Sequence, residues 1–164
     1  MKKIIYLLGS VLLLSCTNNE ETITTGIQPE QLTHLHNNDA KSWKITHYYS
    51  DYGNQILDND YTTCMKDDVY IFKVNERLGE VLFGDNSCYA NYSDVDGETA
   101  VVNYTYFSEE GKLYLDFGRG AYSNENNVQT AWLVVLSCDY LSEDKMIFTN
   151  GVENDGVGVV FEKL

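Results

Sequence analysis

Apolar and polar positions divide the chain into three regimes. Residues 4–14 form an apolar run broken only by Gly9 and Ser10, whereas residues 17 to about 28 (TNNEETITTGIQ) are polar and aperiodic, the pattern of a flexible tether. Pro29 then suits the first turn of a short helix, where a missing N–H is not needed. Glu30 to Leu35 supply its body and Asn37-Asn38-Asp39 its end. From Ala40 the pattern changes to eight short β-rich runs bounded by Gly, Asn and Asp clusters: 42–50, 68–74, 78–83, 100–107, 112–117, 129–137, 145–149 and 157–163. No helical segment of useful length intervenes. Parallel strands need crossovers of about a dozen residues, so the spacing predicts antiparallel hairpins. Glu109-Glu110-Gly111 reads as a three-residue hairpin loop with Gly in the left-handed position, and Ser142-Glu143-Asp144 and Asn150-Gly151 read as further turns. The expected fold is all-β, an eight-stranded antiparallel up-and-down β-barrel whose closure removes exposed edges, preceded by a short N-terminal helix.

The apolar run follows Met1-Lys2-Lys3 and is too short to span a membrane, which takes roughly 20 residues for a ~30 Å hydrocarbon core. It reads as the apolar part of a secretory signal. Its end, Leu13-Leu14-Ser15-Cys16, resembles the lipobox of bacterial lipoproteins. That resemblance implies cleavage before Cys16, a diacylglyceryl thioether on its sulfur, and an acylated new N-terminus. The chain then divides into a signal peptide (1–15), a lipidated Cys with tether and short helix (16–39), and a barrel domain (40–164). Several acyl chains, at ~0.8 kcal/mol per buried methylene, would hold the protein to a membrane it does not span. Thr17 resembles the residue that permits export to the outer membrane of Gram-negative bacteria. Asn18-Asn19-Glu20-Glu21 resembles an acidic signal for the cell surface, and the choice between periplasmic and outer face stays open.

Composition narrows the function. A chain of 164 residues with 43% hydrophobic and 13% aromatic content has ample core material, which excludes disorder as the dominant state. The net charge is −14, and removing residues 1–15 discards Lys2 and Lys3, so the processed chain carries −16. A charge of that sign repels phosphate backbones, so nucleic acid is not an expected partner. The sequence holds no G-x-S-x-G, H-E-x-x-H, P-loop or dinucleotide fingerprint, so neither enzymatic activity nor a cofactor is expected.

Ser42-Trp43-Lys44-Ile45 resembles the opening Trp motif of lipocalin-like barrels, with Lys41 where the usual Gly stands. Cys64-Met65-Lys66-Asp67-Asp68-Val69-Tyr70-Ile71-Phe72, followed by Cys88 after the Gly84-Asp85-Asn86 turn, resembles the C-x-x-D-D-x-Y-x-F…C pattern of lipocalin-like domains in bacterial surface lipoproteins. The resemblance runs from about Ala40 to Leu164 and implies a calycin-type barrel, but little about ligand, since fold alone does not fix function. With Cys16 committed to lipid, Cys64, Cys88 and Cys138 remain for an oxidising compartment. One pair and one spare are expected, with Cys64–Cys88 the preferred pair. Metal ligation is the alternative, though there is no C-x-x-C spacing and no His near either Cys in sequence. Cys138 shares parity with Trp132, Val134 and Leu136 and reads as a buried thiol.

Strand alternation predicts the barrel interior. On the first strand it selects Trp43, Ile45, His47 and Tyr49. Tyr70, Phe72, Leu113, Leu115, Phe117, Trp132, Val134, Phe148, Val159 and Phe161 complete the set. Trp43, His47, Tyr49, Tyr70 and Trp132 are the candidate ligand contacts, for a small apolar or amphipathic molecule at an open mouth. His47 either meets that ligand or finds an internal hydrogen-bond partner. Tyr48, Tyr49, Tyr52, Tyr89 and Tyr92 form either a surface for a protein partner or strand filler. Adjacent Asp67 and Asp68 point to opposite faces and suit a structural turn rather than paired catalysis. Asp94-Val95-Asp96-Gly97-Glu98 lacks the spacing of a calcium loop, and His34-Leu35-His36 lacks a third metal ligand, so the pair is expected to be exposed on the helix.

Overall fold

The computed structural model describes residues 26–92, 95–125, 128–151 and 156–164. The signal peptide, Cys16, the tether up to residue 25 and Asp94 lie outside the described residues. A 3-10 turn, Pro29–Leu32, runs into a short helix α1, Thr33–His36. The strands are β1 (Ala40–Asp51), β2 (Ile56–Leu57), β3 (Val69–Lys73), β4 (Glu80–Leu82), β5 (Gly97–Phe107), β6 (Lys112–Ser123), β7 (Val128–Leu141), β8 (Lys145–Thr149) and β9 (Gly158–Lys163), and a second helix α2 spans Asn59–Met65. The eight runs read from the sequence correspond to β1 and β3 to β9.

Every strand pair is antiparallel. β9 returns to pair with β1, setting Trp43 opposite Lys163 and Tyr49 opposite Gly158. The joint between β4 and β5 is carried by the residues just before β4. Gly79 donates its N–H to the Val102 carbonyl at 2.6 Å, and the Tyr104 N–H reaches the Arg77 carbonyl at 2.9 Å. The result is a nearly closed eight-stranded up-and-down barrel, with β2 a short addition beside β1. Gly111 adopts φ +61 in the β5–β6 hairpin, the left-handed position expected there.

The lumen is a packed core. Trp43, Tyr70, Phe72, Phe117, Phe148 and Phe161 are fully buried in it. Phe161 is the hub, with ring centroids 5.4 Å from Tyr70, 6.3 Å from Phe72, 6.2 Å from Phe117 and 6.1 Å from Phe148. Edge-to-face pairs of this kind add about 0.5–1.5 kcal/mol each beyond the area they bury.

The first strand departs from simple alternation. Ile45 faces Phe161 and His47 faces Val160, so β1 spends two steps where β9 spends one. This bulge reverses the parity beyond it. Tyr48 therefore enters the core at 6% exposure, and His47 and Tyr49 lie outside. The inward placement expected for those two is corrected. Their rings stack on the exterior at 5.9 Å.

The N-terminal segment plugs one end. Leu35 is completely buried, and its carbonyl accepts the Trp43 indole N–H at 2.9 Å. Lys41 lies over the Trp43 ring at 4.5 Å and donates to the carbonyls of His34 and Glu143. His36 is buried too, contrary to the exposed position expected, and its Nδ1 accepts the Asn38 N–H at 3.1 Å.

Candidate binding groove at the barrel mouth

The opposite end is built by α2 and by the loop from Gly84 to Tyr92. Sequence periodicity missed α2 because a seven-residue helix is too short to be stable alone or to show a repeating apolar face. Its start is legible in retrospect: Asp58 caps it, Oδ1 accepting the Tyr61 N–H at 3.0 Å. Its stability comes from docking on β1. The Asp58 N–H reaches the Tyr48 carbonyl at 2.9 Å, and Thr62 Oγ1 accepts the Tyr48 N–H at 3.0 Å. Tyr61 completes an aromatic cluster, 5.1 Å from Tyr48 and 5.3 Å from Trp132.

A disulfide joins Cys64 on α2 to Cys88 in the loop. Asp67 and Asp68, in the turn between α2 and β3, both fasten the same loop. Asp67 Oδ2 accepts the N–H groups of Asp85 and Asn86 at 2.8 and 3.1 Å. Burial alone would raise the Asp67 carboxyl, but these donors outweigh it and hold the group below the ordinary carboxylate range. Asp68 Oδ1 accepts the Gly84 N–H at 2.9 Å.

Inside the mouth, Asp68 meets an arginine the sequence reading did not single out. Arg119 continues the inward series Leu113, Leu115, Phe117 on β6, and both it and Asp68 are buried. Its guanidinium bonds Asp68 Oδ2 and, at 2.8 Å, Glu98 Oε2, and it lies 4.7 Å over the Phe83 ring. The Tyr70 hydroxyl donates to Asp68 Oδ2 at 3.2 Å. Burial first, then the Asp68 charge, pushes that phenol well above its usual range. Ser87 Oγ donates to the other Glu98 oxygen, and the Tyr89 hydroxyl donates to the Arg119 carbonyl at 3.1 Å. One arginine thus balances two carboxylates and ties loop, lumen and β5 together. Only its inward parity signalled it.

Between α2 and the loop lies an open groove of about 640 Å³, lined among others by Asp60, Tyr61, Thr63, Asp85, Asn86 and Asn91. A recess of about 200 Å³ adjoins it, sharing Asp85, Asn86 and Ser87 and reaching Glu98 and Arg119. Among the described residues no lysine lines either space, and the arginine at the bottom is already paired. The groove therefore presents hydrogen-bond acceptors, carboxylates, one aromatic ring and the disulfide.

The five candidate ligand contacts do not meet there. Trp43 lies at the α1 end, Tyr70 is buried against Asp68, Trp132 packs behind Tyr61, and His47 and Tyr49 are on the exterior. Tyr48 and Tyr89 are core residues, whereas Tyr92 stands exposed at the rim. Cys138 is free, as expected, and burial pushes its thiol up to about 12. No protein-family model, no curated protein and no solved structure matches the chain.

Proposed function

We propose that the chain is a non-catalytic binding module of lipocalin-like type, held by an acylated Cys16 on the outer membrane of a Gram-negative bacterium. Its ligand sits in the mouth groove and not in the lumen. The observation that carries this reading is the contrast between a solid interior and a mouth groove whose two walls are covalently joined by Cys64–Cys88. A rigid groove meets its ligand without ordering itself first, which favours affinity. Its lining favours a small amphipathic molecule bearing hydroxyl or amino groups, with Tyr61 and the disulfide as the apolar strip, and disfavours anions. The Ser87 hydroxyl is committed to Glu98, which supports a binding role over a nucleophilic one.

Native mass spectrometry of the protein purified from its own host tests the reading. A retained small molecule that is lost in Thr63→Trp, a substitution that fills the groove, is the expected result. A molecule retained equally by that variant, or none retained by the wild type, would overturn it. The second reading is an accessory subunit of a surface complex, favoured by Tyr92, 59% exposed on the rim and backed by Tyr89 at 5.5 Å.

A further inference from the structure

The barrel exterior has two unlike sides. On β1, β9 and β8 one outward row is charged, Lys44 in register with Glu162 and Glu162 with Lys145, and the row beyond it holds His47, Val160 and Ile147. Lys73 and Glu80 pair at 3.0 Å across β3 and β4. On β5, β6 and β7 the outward positions form an apolar face. Val101, Gly118 and Leu133 are in one row, and Thr99, Gly120 and Ala131 in the next. Gly118 and Gly120 are themselves buried beneath their neighbours, and a Cβ on Gly118 would lie 2.5 Å from the Trp132 carbonyl oxygen. Val135 continues the face, Leu78 borders it beside Asn103, and Phe107 and Tyr114 meet at 5.7 Å at its lower end. Leu78, Val101, Phe107, Leu133 and Val135 are each between 40% and 67% exposed. Asp116 is the one charged side chain within the rows between Thr99 and Val135.

The N-terminal segment arrives at the β5–β6 hairpin, beside the end of this face at Phe107. The Ile27 N–H bonds the Gly111 carbonyl at 2.7 Å, the Tyr106 hydroxyl bonds the Ile27 carbonyl at 2.7 Å, and Gly26 packs on Gly111 in the β5–β6 hairpin. Whatever its conformation, the chain from Cys16 to Gly26 reaches at most ~35 Å at ~3.5 Å per residue. A lipid on Cys16 therefore keeps the β5–β6 hairpin, and the apolar face that begins at Phe107, within about 35 Å of the bilayer. One apolar surface thus lies next to the exit point, and the anchor brings one apolar medium within its reach.

We infer that the outer face of β5–β7 docks on the surface of the lipid bilayer, so that the barrel lies on its side with the Lys44–Glu162–Lys145 row turned to water. This rests on the lipid anchor proposed above. Exposed apolar and aromatic side chains enter the boundary between headgroups and acyl chains by about 5–10 Å. Because the protein and the neighbouring Glu109 and Glu110 are acidic, the docking surface is an uncharged one such as phosphatidylcholine.

The test uses the full, host-processed protein reconstituted in phosphatidylcholine vesicles with and without brominated acyl chains. Leu133→Trp and Lys44→Trp place a reporter on the two sides, while the native Trp43 and Trp132 give both variants the same background. Brominated lipid is expected to quench Leu133→Trp roughly twofold or more over Lys44→Trp, as an insertion depth of about 5–10 Å requires. The difference should shrink when anionic lipid is added. Equal quenching of both variants, or a detergent-solubilised dimer that shields Leu133→Trp from aqueous iodide, overturns the docking. If the protein fails to float with vesicles at all, the anchor itself is refuted and the docking with it. Flotation without selective quenching refutes the docking alone.

Discussion

Arg119 and Asp68 are 51 positions apart in the chain and form one ion pair inside the barrel mouth, the arginine 2% and the aspartate 1% exposed. Removing one partner of such a pair leaves an uncompensated charge in a place water does not reach. Arg119→Ala is expected to cost about 3–5 kcal/mol, because two carboxylates, Asp68 and Glu98, lose their counterion. Arg119→Met combined with Asp68→Leu and Glu98→Gln should recover most of that loss. Urea denaturation midpoints compare them, and a triple variant no more stable than Arg119→Ala would contradict the electrostatic account.

Breaking the Cys64–Cys88 bond releases a loop of about 25 residues, which in the chain-entropy model lowers stability by about 3–4 kcal/mol. Hydrogen exchange should localise the first opening. Amides of α2 are expected to exchange faster in Cys64→Ser/Cys88→Ser, well before those of β6 and β7. Uniform acceleration across the barrel would show that the bond supports the whole fold and not the groove.

At the opposite end, Leu35→Ala removes a completely buried side chain from the plug and should cost about 2–5 kcal/mol. Trp43→Phe leaves the Leu35 carbonyl without its donor and should cost about 1–3 kcal/mol. Limited proteolysis near Asn37 reads both effects, and cleavage no faster than in wild type would count against a plugging role.

His36 gives the plug a pH dependence. Burial lowers its pKa below the ordinary 6.5, and the Asn38 N–H occupies Nδ1, so the folded state prefers neutral imidazole. The unfolded chain then binds the proton more readily than the native one. Stability is expected to fall as pH drops below about 6.5 and to level off beneath the native pKa. Thermal melts between pH 7.5 and 5.5, of roughly the width that one histidine titrates over, should show this slope, and His36→Gln should flatten it.

The bulge on β1 separates two neighbours of similar sequence standing. His47→Ala is expected to change stability by less than about 0.5 kcal/mol, as for most surface positions. Tyr48→Ala should cost about 3–5 kcal/mol, the range for a buried aromatic. The reverse order would place the bulge elsewhere.

That bulge also marks where the sequence stops being readable. The eight barrel strands, the hairpin at Gly111 and the inward parity of β3, β6 and β7 follow from alternation, which holds as long as pairing is regular. Ser42 to Tyr49 reads as one alternating strand, and nothing local announces that Thr46 is extra. The signal lies in β9, which closes the sheet from the far end of the sequence. The groove was hidden for a similar reason. Asp58, Glu98 and Arg119 carry no signal in their local windows and gain meaning only when the barrel brings them to Cys64 and Asp68. Asp67 and Asp68 were legible as structural residues, but they lie in the turn before β3, where both carboxylates serve one loop.

The pairing of β1 with β9 has a consequence for when the protein can fold. β1 is made early and β9 last, and Phe161, the ring around which the others pack, arrives with β9. Until then β1 lacks one of its neighbours and the aromatic core lacks its centre, so no partial chain can complete the barrel. Sheets dominated by such distant pairings also fold slowly. A chain with this topology cannot close its barrel before β9 is made, and the order in which its strands are made acts as a delay built into the fold.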